Sequence, residues 1–262
     1  MPQECARGVA DKAAEEAGAA SDASTEPGED GGWSSNSERS GSDGVDAASS
    51  ESAFSRGETL IIFDWDDTLL PTTWLEELGV LLSDELSPTE EQWSLLQDMA
   101  VCAKASIADA LLCGKVVVVT SAQQGWVEAS CMKFMPSLFP VIAELGVVSA
   151  RNVADRRGPS EWKRVAFEQE ISRCFGLEHQ GRQNVVSVGD SMYEVQAVLD
   201  VGVGITRRVA KSVKLMPCPH VNQMIAQHEL MRDNLRYVVE HSSFLDLEIS
   251  LEASDDDDDD DT

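Results

Sequence analysis

At 262 residues, 42% of them apolar, the chain can form one ordinary α/β domain with tails, and its formal net charge is −27. Residues 1–57 carry 12 acids against 4 bases and residues 250–262 a net −8, which leaves −11 on residues 58–249. That sign repels nucleic acid and anionic membranes, whose phosphates attract Lys and Arg, and excludes both as main partners.

Residues 1–57 are poor in large apolar side chains and crowded with Ser, Gly, Ala, Asp and Glu. Such a segment cannot bury enough surface to offset its ordering entropy, so it is expected to be disordered. The run Asp255 to Asp261 within 250–262 is expected to be a self-repelling acidic tail. Between them, residues 58–249 alternate apolar strands with amphipathic helices, the pattern of an α/β domain with a Rossmann-like parallel sheet and helices on both faces.

Strand one is Thr59-Leu60-Ile61-Ile62-Phe63, running into Asp64. A helix is predicted from Ser87-Pro88-Thr89-Glu90, read as a capping box with proline at the first helical position. Its apolar face runs through Trp93, Leu96, Ala100, Ala103, Ile107 and Leu111, and Gly114 stops it. Strand two, Val116 to Val119, ends at Thr120; helical stretches near 126–135 and 138–144 precede a third strand at Val147-Val148. Gly158-Pro159-Ser160 opens a helix through about Phe175, and strand four, Val185 to Val188, ends at Gly189-Asp190. A fifth strand near Ser212 to Met216 leads to a helix with Val221, Met224, Ile225, Met231, Leu235 and Val238 on one face, and Leu245 to Ile249 is a short last strand.

Six scattered cysteines (5, 102, 113, 131, 174 and 218) include no Cys-x-x-Cys pair, which fits reduced thiols in a cytoplasmic protein. A nuclear location is compatible with the same features. No apolar run reaches the ~18–20 residues of a membrane span, no signal-peptide core is present, and Pro2 excludes N-myristoylation.

In parallel sheets ligands sit beyond the carboxyl ends of the strands, where this chain places Asp64, Asp66, Thr120, Asp190 and Glu194. Two carboxylates two residues apart can divide the work around one phosphorus atom, one attacking it and one handling the leaving-group proton. Like charges beside a phosphate need a divalent cation, and oxygen ligands favour Mg²⁺, with Asp190 and Glu194 as further ligands. Thr120 offers a hydroxyl donor, and Lys163 near a helix start offers a cation. Each has a plainer reading: Asp66 or Asp67 capping a turn, Asp190-Ser191 capping a helix, Lys163 solvated. Trp74 and Trp126 could stack on a substrate or pack in the core, and none of the four His residues has catalytic or metal spacing.

Together these residues resemble the four motifs of the haloacid dehalogenase superfamily: Ile61 to Leu69 for the first, Val116 to Thr120 for the second, Lys163 for the third, and Val188 to Glu194 for the fourth. Arg164 or Lys133 could stand in for Lys163, and Ser121 lies where many members have Asn. The resemblance implies a sheet ordered 5-4-1-2-3 and a Mg²⁺-dependent phosphatase. Asp64 would be the nucleophile and Asp66 the general acid and base. Mg²⁺ would be held by the Asp64 carboxylate, the Asp66 backbone carbonyl and Asp190, with Glu194 acting through water.

With 51 residues from Thr68 to Thr120 and 42 from Thr120 to Lys163, little chain is left for a cap domain. An open site accepting a phosphoprotein or a small phosphate ester is expected. A phosphotransferase or phosphomutase is the competing enzyme reading, and an inactive phosphatase-like interaction module the non-enzymatic one. The oligomeric state is not legible.

Overall fold

A computed structural model describes residues 53–80, 82, 86–154, 157–176 and 180–251. Of the predicted tails, 1–57 and 250–262, residues 1–52 and 252–262 lie outside the described residues, as does His179, whereas 53–57 are described and Arg56–Glu58 form a short 3-10 helix. The described chain enters through Phe54, buried beneath the cations of Arg182 and Lys211 at 4.1 and 4.7 Å from its ring.

Six parallel strands form one sheet: β1 (Thr59–Phe63), β2 (Lys115–Thr120), β3 (Gly146–Ser149), β4 (Gln183–Gly189), β5 (Arg208–Lys214) and β6 (Leu245–Glu248). Their order is 3-2-1-4-5-6. The first five keep the order expected from the resemblance; β6 is an additional edge strand beyond β5. The β-branched runs that suit strands covered on both faces make β1 and β4 buried throughout.

The helices are α1 (Thr72–Glu77), α2 (Glu90–Cys113), α3 (Trp126–Phe134), α4 (Phe139–Ile142), α5 (Ala150–Val153), α6 (Pro159–Phe175), α7 (Met192–Gly202) and α8 (Val221–Glu240). Alternation along β1 sends Ile61 and Phe63 into a core with α1 to α4 and α8, and Leu60 and Ile62 into a second core with α5 to α7. Each fully buried side chain of this kind contributes about 1.5–3 kcal/mol.

One local expectation is corrected. Thr89, not Ser87, caps α2: its hydroxyl accepts from the Gln92 amide and the Gln92 side chain accepts from the Thr89 amide, so Pro88 precedes the cap. Gly114 does end α2, but with extended backbone; glycine is needed there because a Cβ would stand 2.6 Å from the Thr59 carbonyl oxygen. None of the described helices is long and apolar enough to cross a membrane.

His228 on α8 is buried and joins three elements. Its Nε2–H donates to the Thr68 carbonyl at 2.6 Å, and its Nδ1 lies 2.8 Å from Ser106 Oγ on α2. Burial pushes the imidazole below its ordinary value, against the opposite pull of the Thr68 carbonyl. The unfolded chain gains this proton near pH 6.5 and the folded chain only at lower pH. The contribution to stability is therefore complete above about pH 6.5 and is lost as pH falls below it. Urea unfolding between pH 7 and 5 should show a steeper loss of stability for wild type than for His228→Gln, whereas parallel slopes would contradict a neutral buried imidazole.

Candidate active site

The register places the carboxyl ends of β2, β1 and β4 side by side, with Phe63 opposite both Val118 and Val188. Asp64 continues β1 by one residue; its amide donates to the Val188 carbonyl at 2.9 Å, which fixes where its side chain leaves the sheet. Thr120 ends β2, and Asp190 follows β4. Residues as distant in sequence as 64 and 190 thus meet at one point.

Lys163, on the first turns of α6, is fully buried and closes that point from one side. Its ammonium lies 2.6 Å from Asp64 Oδ1 and 2.9 Å from Glu194 Oε1, and it donates to the Val119 carbonyl at 2.5 Å. Burial alone would lower its pKa, but the Asp64 and Glu194 carboxylates outweigh that and keep it charged. Arg164 instead pairs with Glu161 and Glu168 on the outer face of α6, and Lys133 lies over the Phe134 ring. Lys163 is the cation that reaches Asp64.

Glu194 occupies the third position of α7, where Oε2 accepts from the amide and the hydroxyl of Ser191. Ser191 is therefore the helix cap, and Glu194 both completes the capping box and meets Lys163 with its other oxygen. Gly189 makes this possible, since a Cβ there would stand 2.5 Å from Glu194 Cγ.

Carboxylate oxygens of Asp64, Asp190 and Glu194 all lie within 4.8 Å of one another. Burial pushes Asp64 well above the usual carboxylate range; Lys163 pulls against it, and Glu194, Asp66 and Asp190 add to it. Asp190 is pushed up to about 7, by burial first and then by Glu194 and Asp67. With all three ionised, the carboxylates would exceed the one ammonium by two negative charges, the charge that one divalent cation would balance. Hard oxygen donors of this kind suit Mg²⁺. The residues therefore fit the cation that the resemblance implies.

Asp66 stands apart. Its carboxylate is outside that group and is held by Thr72, Trp126 and Thr120. Asp67 takes the structural part foreseen for a turn cap: it adopts left-handed backbone, φ 51°, and accepts from the Thr73 amide and hydroxyl at the start of α1. Trp74 is buried, edge-on to His220 at 5.9 Å between centroids, so its core reading holds.

Neither the hydrogen bond from Trp126 to Asp66 nor the part of Thr72 is legible in the sequence. The only sequence signal for the former was the position of Trp126 shortly after strand two. Gln123, Gln124, Ser149 and Asn152 line a cavity of about 300 Å³ that adjoins Thr120 at the carboxyl ends of β2 and β3.

Removing one partner of a buried ion pair leaves uncompensated charge, which typically costs about 3–5 kcal/mol. Lys163→Met keeps much of the volume and should lose about that much stability in urea unfolding at pH 7; a loss below about 1 kcal/mol would mean that the carboxylates need no counter-charge from it. Comparison with family models, with curated proteins and with solved structures finds no match for the chain.

Proposed function

We propose that the protein is a Mg²⁺-dependent phosphoric monoester hydrolase working through an aspartyl phosphate on Asp64. The supporting observation is the cluster of Asp64, Asp190 and Glu194 at the carboxyl ends of β1 and β4, with Asp64 and Glu194 paired to the buried ammonium of Lys163. The four-motif resemblance in the sequence favours the same reading.

An Asp64 oxygen attacks the phosphorus, the ester oxygen departs with a proton from Asp66, and water then attacks the aspartyl phosphate while Asp66 takes its proton. Lys163 holds Oδ1 of Asp64, which orients the carboxylate and offsets charge that grows on the phosphoryl group. Thr120 supplies a hydroxyl to a phosphoryl oxygen. Asp64, Asp190 and Glu194 would hold Mg²⁺, which would supply the remaining charge neutralisation.

The substrate class is a phosphate monoester. The intervals from Thr68 to Thr120 and from Thr120 to Lys163 are taken up by α1 to α5 and the start of α6, and among the described residues neither holds a further domain. Met192 and Tyr193, exposed directly after Asp190 and Ser191, give the rim apolar surface. An open rim of this kind suits a phosphate carried on a larger molecule such as a phosphoprotein.

Phosphate release from p-nitrophenyl phosphate should require Mg²⁺ and disappear on chelation. Asp64→Asn should lower kcat at least about 10³-fold, in the range seen when a nucleophile is removed. Turnover that persists in Asp64→Asn would refute the assigned nucleophile.

A further inference from the structure

The two oxygens of the Asp66 carboxylate have unequal surroundings. Oδ1 accepts from Thr72 Oγ1 at 2.7 Å and from the Trp126 indole Nε1–H at 2.8 Å, which occupies both of its lone-pair directions. Among the described residues, Oδ2 accepts only from Thr120 Oγ1, at 3.2 Å. We propose that Trp126, assisted by Thr72, is a positioning residue: it locks the Asp66 carboxylate with Oδ1 saturated, so that Oδ2 is the oxygen that gives and takes the proton. This inference rests on the phosphatase reading above.

The chemistry of the partners supports the assignment. An indole N–H donates but neither accepts nor titrates, so it can hold a carboxylate without competing for the proton in transit. The Thr120 hydroxyl has one hydrogen, and Thr120 Oγ1 also accepts from the Ala122 amide at 3.0 Å. When that hydrogen turns to a phosphoryl oxygen, Oδ2 is released while Oδ1 stays held.

The proton on Oδ2 then passes to the ester oxygen as its bond to phosphorus breaks and the bond from Asp64 to phosphorus forms. In the second half-reaction a water proton returns to Oδ2 as the water oxygen bonds to phosphorus and the bond from Asp64 breaks. Ester and water give alcohol and phosphate, and Asp66 ends as it began.

Trp126 is itself built in place. Gly125 before it has φ 87°, a left-handed conformation open to glycine, and starts α3 so that the indole faces the loop after β1. The Trp126 carbonyl accepts from Ser130 Oγ at 2.7 Å, and Ser130 Oγ accepts from the indole of the fully buried Trp65 at 3.0 Å. Two tryptophans thus tie the first turn of α3 to the Asp64–Asp66 loop, one through Ser130 and one directly.

The test compares kcat/KM for an aryl phosphate, whose leaving group needs little protonation, with that for an alkyl phosphate, whose leaving group needs it fully. General acid catalysis is worth about 10²–10⁴-fold, so Asp66→Asn should lose about that much on the alkyl ester and far less on the aryl ester. Trp126→Phe should show the same selectivity in smaller measure, about 10-fold or more on the alkyl ester and within about threefold on the aryl ester, with KM unchanged. Thr72→Val should move in the same direction and Thr72→Ser should restore the wild-type ratio.

In the Asp66→Asn background, Trp126→Phe should add no further selectivity. Equal losses on both esters, or no loss on either, would overturn the positioning role alone and leave Trp126 as packing. An Asp66→Asn enzyme with the wild-type ratio would instead overturn the acid assigned to Asp66, and the inference with it.

Discussion

One buried ammonium holds this site together. Lys163 reaches the Asp64 carboxylate beyond β1, the Val119 carbonyl in β2 and Glu194 on α7, so a single side chain of α6 ties together two strands and another helix. Burying a charge is costly unless it is paired and hydrogen-bonded, and here the pairing carboxylates are themselves buried. Neither sign is tolerable in this place without the other. The requirement reaches into the local backbone: Glu194 meets Lys163 only because Ser191 shares its other oxygen and Gly189 leaves room for its stem.

The same charge balance separates two acids that lie two residues apart. Asp64 faces other carboxylates and an ammonium, surroundings that favour a nucleophile beside a divalent cation. Asp66 faces two hydroxyls and an indole, neutral donors that orient a carboxylate without pairing its charge. Unequal environments for neighbouring acids are a common way for one fold to divide nucleophilic and proton-transfer work. Under the proposed function, that division would follow from which helices approach each side chain, α6 at Asp64 and α1 and α3 at Asp66.

Much of this was legible in the sequence wherever the signal is local. Continuous Val and Ile runs marked β1, β2 and β4, and the polar residues at their ends were the natural ones to inspect. Lys163 stands out in the sequence by its place near a helix start, and the α6 geometry brings it to Asp64. The start of α2 is ambiguous in the sequence because two overlapping patterns fit, Ser87 with Glu90 and Thr89 with Gln92; the chain uses the second. The six-residue α1 is too short for periodicity to reveal. Contacts that join distant segments were opaque: Trp126 to Asp66 spans 60 residues and His228 to Thr68 spans 160, and both depend on how helices lie on the finished sheet.

The proposed mechanism turns on covalent phosphorylation of Asp64. The most direct measurement is rapid acid quenching of the wild-type protein turning over a phosphate monoester in Mg²⁺, followed by mass spectrometry of the peptide containing Asp64. A phosphate should appear on Asp64 that hydroxylamine removes, as an acyl phosphate requires, in amounts that rise and decay with turnover. Sustained turnover with Asp64 never modified, or with the phosphate on another residue, would contradict it.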